Sequence, residues 1–269
     1  SSVYVNLPFC RRRCFYCDFP IKVVGDRPGA AATAAKPYVD ALVQEIRTTA
    51  AEFKINGMRP DDCTRNGKGR DAGNTGVHGV DTLFFGGGTP SLCPPELVKV
   101  LIDTVEDCFG IAPGAEISME MDPGTFDEEK LVEFLALGVN RVSMGVQSFD
   151  TDLLQSCGRA HSLQDVYDAV GVIRKAGVKN FSIDLMSGLP SQTIAQWEHT
   201  LHEAVATGAA HISVYDLQVE AATAFGNWYT AGVSPLPQDE TCADMYRTAS
   251  RVLRSAGYEH YEARRNVDK

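Results

Sequence analysis

An α/β fold, with a parallel sheet curled into a partial (β/α)6 barrel, is what this sequence of 269 residues predicts. Three observations predict it. Strand-like and helix-like stretches alternate about six times along the chain, and such alternation calls for parallel neighbours joined by right-handed crossovers. The polar and glycine-rich stretches fall at the ends of successive strands, as they do on the functional rim of a barrel; a doubly wound sheet would fit the alternation alone. No shorter repeat or heptad pattern competes.

The elements follow in order. Residues 2–7 read as a short strand ending at a cysteine loop. A helix behind a Pro37 start carries Val39, Leu42, Val43, Ile46 and Phe53 at a period near 3.6. Residues 57–79 hold Gly57, Gly67, Gly69, Gly73, Gly76 and Gly79 among small polar and charged side chains. With so little apolar surface to bury, this stretch is expected to be a mobile surface insertion. Val80 to Phe85 read as a buried strand running into Gly86-Gly87-Gly88-Thr89-Pro90, and the next helix aligns Leu97, Val98, Leu101, Ile102, Val105 and Phe109 on one face.

Glu116 to Glu120 is strand-like, and a helix near 127–138 stops at Gly138. A strand from Val139 to Val146, helices near 150–157 and 162–176, and Gly177 come next. The unit repeats with strand 179–186, helix 193–207, Gly208 and strand 211–217. A last helix near 239–255 precedes a strand-like Tyr258 to Ala263. The core is thus expected to span 1–257, with 258–269 opening a truncated C-terminal region. With no initiator Met, the chain is expected to be a mature or excised form.

Composition excludes some classes of function. A formal net charge of −10 disfavours a nucleic-acid footprint, which needs clustered Lys and Arg against phosphate. Arg11-Arg12-Arg13 is a local exception, either a solvated loop face or a cationic patch near an anionic group. No apolar run approaches the roughly 20 residues of a transmembrane helix, and Ser1 to Val5 are too short for a signal peptide. Five of the eight cysteines, Cys63, Cys93, Cys108, Cys157 and Cys242, are scattered singly, which argues for a reducing interior. The expected location is therefore the cytoplasm, or an organelle such as a mitochondrion or plastid after loss of a targeting segment.

The other three, Cys10, Cys14 and Cys17, stand within eight residues. A disulfide would pair only two of them. A structural zinc site normally closes with four protein ligands, and no second close pair exists here. Soft thiolates also suit an iron-sulfur cluster, in which three of them leave one position open. From spacing alone the metal is undecided.

Candidate binding residues close the strands. Gly86 to Pro90 lets a ligand approach the backbone, yet it is neither a Walker loop nor a dinucleotide fingerprint. Glu120 suits ribose hydroxyls, Gln147 ends the fourth strand, Arg159 suits a carboxylate, and Asp184 sits inside an apolar strand where a charge needs a partner.

Together, Tyr4 to Phe19, Phe85 to Ser91, Glu120 to Gly124, Ser143 to Phe149, Gly158-Arg159 and Ile183 to Pro190 resemble the oxygen-independent coproporphyrinogen III oxidase-like family of the radical S-adenosylmethionine superfamily. The resemblance implies a 4Fe-4S cluster on Cys10, Cys14 and Cys17, with S-adenosylmethionine on its open iron. It further implies that Tyr4 and Tyr16 flank the cluster, and that Gly87, Gly88, Thr89, Glu120, Gln147, Arg159 and Asp184 contact S-adenosylmethionine.

Within the family, the oxidases carry another cysteine two residues after the third ligand, where this chain has Asp18-Phe19. That pattern resembles the haem chaperone group. Haem or a porphyrinogen, an electron donor, a haem-acceptor protein and a homodimeric partner are the partners implied. Two departures stand out: Asn6 replaces the usual His, and no His-Asn and Tyr-Trp signature follows Gly257 to Glu262. His161, His199, His202, His211 and His260 are the histidines left as haem-ligand candidates. Two alternatives are a porphyrinogen-decarboxylating oxidase and a zinc-stabilised scaffold.

Overall fold

The computed structural model describes residues 1–55 and 79–261. The expected insertion lies outside the described residues apart from Gly79, as does the tail from residue 262. The N-terminal half runs β1 (Ser2–Leu7), β2 (Phe9–Cys10), β3 (Lys22–Val23), α1 (Ala30–Ile55), β4 (Val80–Gly87), a 3-10 turn at Pro90–Leu92, α2 (Pro95–Phe109) and β5 (Ile111–Met121). There follow α3 (Glu128–Ala136), β6 (Arg141–Gln147), α4 (Thr151–Ser156), α5 (Leu163–Lys175), β7 (Phe181–Ser187), α6 (Ile194–Ala206), β8 (His211–Asp216), α7 (Ala224–Trp228) and α8 (Asp239–Ser255).

Six strands form one parallel sheet in the order β1-β4-β5-β6-β7-β8. Each lies beside the next in sequence, so the winding never reverses, and reversal is what defines a doubly wound sheet. Right-handed crossovers then place the helices on one face. The first and last strands do not pair, which leaves the barrel partial.

Strand alternation divides the side chains between the two faces. Leu83, Phe85, Ile117, Met119, Val142, Met144, Ile183 and Leu185 are buried in one core with helix residues such as Val39, Val98, Leu101, Leu131, Val166, Ile173, Trp197 and Leu201. The opposite face is polar. Register aligns Glu120 with Ser143, Ser182 and His211, and Gly145 with Asp184 and Ser213. Fold and site thus share the strands, one face each.

Two expectations are corrected. Helix α1 begins at Ala30, and Pro37 lies inside it. A proline there removes one helical hydrogen bond. The alanine-rich run before it favours helix, and burial of Ala35 and Val39 holds the segment against the core. The predicted strand at Tyr258 is absent as far as residue 261. There the chain is tied by side chains: Tyr258 donates its hydroxyl to the Ala209 carbonyl at 2.6 Å, and the Tyr261 hydroxyl meets His211 Nε2 at 2.7 Å.

Candidate cofactor site

The cysteine loop leaves the end of β1 and is shaped by bonds that the sequence does not reveal. Strands β2 and β3 pair, with the Lys22 and Val24 amides donating to Pro8 and Cys10 carbonyls at 2.6 and 2.9 Å. Arg13 reaches across the loop and donates to the carbonyls of Cys17, Phe19 and Ile21 at 3.1, 2.9 and 3.2 Å. Arg11 and Arg12 lie 3.8 and 3.7 Å from Asp26. The arginine triplet therefore braces the loop. Behind it, Phe15 stacks edge-on against Trp228 at 4.9 Å, and the Phe225 amide donates to the Phe15 carbonyl at 2.9 Å. The short helix α7, unforeseen in sequence, is a buttress for the loop.

All three thiols are free and half-buried. Burial pushes Cys10 up to about 11 and also raises Cys17, so a thiolate in either place calls for a compensating cation. The Thr89 hydroxyl donates to Cys10 Sγ at 3.5 Å, and Arg159 Nη1 donates to Cys14 Sγ at 3.3 Å. Among the described residues, no group of three or more His, Cys, Asp or Glu side chains converges on a single ion. Such convergence is what a zinc site needs. A cubane asks less, because each thiolate binds a different iron.

The glycine run packs directly on this loop. A Cβ on Gly88 would lie 2.8 Å from Phe9 N, Phe9 O and Pro8 C, and one on Gly87, whose φ is 108°, would collide with the Asn6 side chain. No other residue fits at either place. The N–H donors of the run are engaged within the protein: Gly88 to Leu7 O at 3.1 Å, Thr89 to Phe9 O at 2.7 Å, and Gly87 to Glu120 Oε2 at 3.1 Å. The run's first role is to seat the cysteine loop on the sheet.

The strand-end residues form two connected groups. On the polar face of the sheet, burial raises Glu120 to about 7, with Asp184 adding to the rise and the Gly87 N–H offsetting part of it. Asp184 is also raised, mainly by burial, although the hydroxyls of Ser213 and Ser143 donate to it. Tyr4 stacks on Phe84 at 5.7 Å and stays 60% exposed. At the strand ends, Arg159 binds Asp122, donates Nη2 to Gly145 O at 2.6 Å, and turns Nη1 to Cys14 Sγ and to the Tyr16 hydroxyl at 3.4 Å. Burial alone would lift Asp122, but Arg159 and His161 outweigh it and hold its carboxyl below the usual range.

Gln147 follows a bulge in β6 and has φ of 70°, a strained value for this residue type. Its Oε1 is buried without a partner, as is Arg159 Nε. An orphaned acceptor and an orphaned donor beside free thiols suit a polar ligand bearing both donors and acceptors. The residues present therefore fit an iron-sulfur cluster with S-adenosylmethionine.

Sequence reasoning missed Asp122, the serine array and the role of His161. Asp122 stands two positions after Glu120, just past the end of β5, and this spacing was the available signal. His161 is buried against Asp122 at 3.5 Å, while His199 and His202 are exposed on α6.

Comparison with known proteins agrees with this chemistry. Residues 71–204 match the model of the Radical SAM superfamily, a stretch that holds the glycine run and every strand-end residue above but begins after the cysteine loop. The loop is covered by whole-chain relatives. The chain is 42% identical over 262 residues to the haem chaperone HemW of Synechocystis sp., covering 97% of this chain and 58% of that protein. It is 34% identical to HemW of Bacillus subtilis, covering 97% of this chain and 62% of that one. The structure resembles coproporphyrinogen III oxidase HemN of Escherichia coli, a radical SAM enzyme, with a TM-score of 0.77 and 27% identity over 96% of this chain and 53% of that one. This chain thus spans less than two thirds of the length of each. Thiols, glycine run, polar strand ends and these likenesses concur: the chain belongs to the radical S-adenosylmethionine superfamily, within the coproporphyrinogen III oxidase-like family that includes the haem chaperones.

Proposed function

We propose that this chain is the radical domain of a haem-handling protein, which binds haem and passes it to an acceptor protein in a reducing compartment. The observation that carries the reading is the 42% identity to a haem chaperone along 97% of the chain. Phe19, two residues after Cys17 where the oxidases carry a cysteine, supports it.

Cys10, Cys14 and Cys17 would hold the 4Fe-4S cluster. Tyr4, Gly87, Gly88, Thr89, Glu120, Gln147, Arg159 and Asp184 would form the S-adenosylmethionine site, with Tyr16 beside the cluster. When bound, the two groups supply one-electron reductive cleavage of a sulfonium, fed by an external electron donor. The protein's part is electrostatic. Arg159 supplies a fixed positive charge for a carboxylate or thiolate, Gln147 Oε1 offers an acceptor, and Glu120 offers a carboxylate that can lose its proton near neutral pH.

Glu120 makes binding pH-dependent. A free-state value of about 7 means the carboxyl is protonated below that pH, so a ligand that uses the carboxylate as acceptor must expel one proton there. Affinity for S-adenosylmethionine is expected to rise about tenfold per pH unit from about 5 to 7 and then level off. Calorimetric titration of the reconstituted protein checks this, and Glu120→Gln should flatten the profile. A flat profile in the unsubstituted protein contradicts it.

The structural likeness to the oxidase favours a second reading, porphyrinogen decarboxylation. One assay separates the two. Reconstituted protein is incubated with haem, and separately with coproporphyrinogen III, S-adenosylmethionine and a reductant. Haem binding without protoporphyrinogen is expected; protoporphyrinogen as a product overturns the chaperone reading.

A further inference from the structure

The arginine beside Cys14 is held by groups that no likeness to a relative assigns. Arg159 is 10% exposed, Asp122 16% and His161 0%. A guanidinium is a rigid planar fork, so fixing one edge fixes the direction of the other. Nη2 is fixed by Asp122 and by Gly145 O, and Nη1 is thereby aimed at Cys14 Sγ. Nη1 also reaches the Tyr16 hydroxyl at 3.4 Å, and Nε has no partner.

Asp122 is itself anchored from three sides. Its amide donates to Ser91 Oγ at 3.2 Å, in the turn after the glycine run. Its carbonyl accepts from the Thr125 amide and hydroxyl at 3.1 and 2.6 Å. His161 backs the pair: Nε2 lies 3.3 Å from Val146 O, and a carbonyl can only accept, so Nε2 carries the proton. Nδ1 faces the pair, 3.5 Å from Arg159 Nη2 and 3.5 Å from Asp122 Oδ1. The ends of two strands, β5 and β6, thus converge on Arg159, whose other edge points at Cys14 Sγ.

We infer that Asp122 is a positioning residue, which aims the Arg159 guanidinium at the Cys14 thiolate and through it sets the reduction potential of the cluster. The inference rests on the cluster reading above. A positive donor on a ligand sulfur favours the reduced, more negative cluster and raises its potential. An uncompensated carboxylate nearby does the reverse. The two ways Asp122 could act therefore have opposite signs: as an aiming group its loss lowers the potential, and as a bare charge its loss raises it.

The experiment is a redox titration of the anaerobically reconstituted full chain, followed by electron paramagnetic resonance, for the unsubstituted protein and Arg159→Gln, Asp122→Asn and the double variant. Asp122→Asn is expected to lower the potential, and the double variant to match Arg159→Gln with no further shift. An unchanged or raised potential in Asp122→Asn, or additive shifts, overturns the inference. Should Asp122→Asn fail to hold a cluster, His161→Gln replaces it and is expected to give a smaller shift of the same sign, with no shift or a rise overturning the inference. Loss of the cluster in both, while Arg159→Gln keeps it, also overturns it, because a group acting through Arg159 cannot matter more than Arg159. Absence of any cluster in the unsubstituted protein refutes the cluster reading instead.

Discussion

Truncating Arg159 to alanine is expected to destabilise the fold by about 3–5 kcal/mol, the cost of stranding a buried charge. Asp122 and Arg159 are nearly sealed from water, and Asp122 keeps its ionised form because Arg159 and His161 outweigh the effect of burial. With the arginine gone, the carboxyl must ionise in a dry site or take up a proton. Urea unfolding measures the loss, and the Arg159→Ala, Asp122→Ala pair should recover part of it, since no charge is then left unpaired. A loss below about 1 kcal/mol, the range of exposed ion pairs, would show that the pair is not buried as described. Because Arg159 also faces Cys14, the same variant should weaken retention of the cluster.

Trp197→Ala is expected to cost a similar amount, about 3–5 kcal/mol. Trp197 is fully buried on α6, and its indole N–H donates to the Met245 carbonyl of α8 at 2.9 Å. Its removal opens a large cavity and takes away the hydrogen bond to Met245 O, at the place where α8 is fastened to the barrel. Trp197→Phe should retain most of the packing and lose the hydrogen bond, costing less. Equal costs for the two substitutions would contradict the assigned role of the ring. Neither variant touches the cofactor site, so iron content per folded chain should not change.

The repeating unit was legible because its signals are local. Apolar strands such as Val80 to Phe85 and Ile183 to Leu185 are short, the helices between them are periodic, and glycines such as Gly138, Gly177 and Gly208 mark where they stop. The strand-end rule located Glu120 and Gln147, at the ends of β5 and β6, whereas Asp184 lies within β7 and Arg159 follows α4. What stayed hidden depends on contacts between distant segments. Arg13 bonds to three carbonyls only once the loop has curled, and helix α7 braces Phe15 across 210 residues of sequence. Pro37 misled because proline usually begins a helix, whereas here the alanines before it and the core beneath outweigh one lost hydrogen bond. The partners of Arg159 were hidden too, since they come from the ends of two strands and a separate loop.

The central claim concerns Cys10, Cys14 and Cys17, and iron analysis tests it most directly. Anaerobic reconstitution should give about four iron and four sulfide per chain, with a brown chromophore that reduces to a paramagnetic form. Replacement of Cys14 by alanine should abolish it. Stoichiometric zinc with no iron, or a cluster that survives in Cys14→Ala, would contradict the assignment of these three thiols.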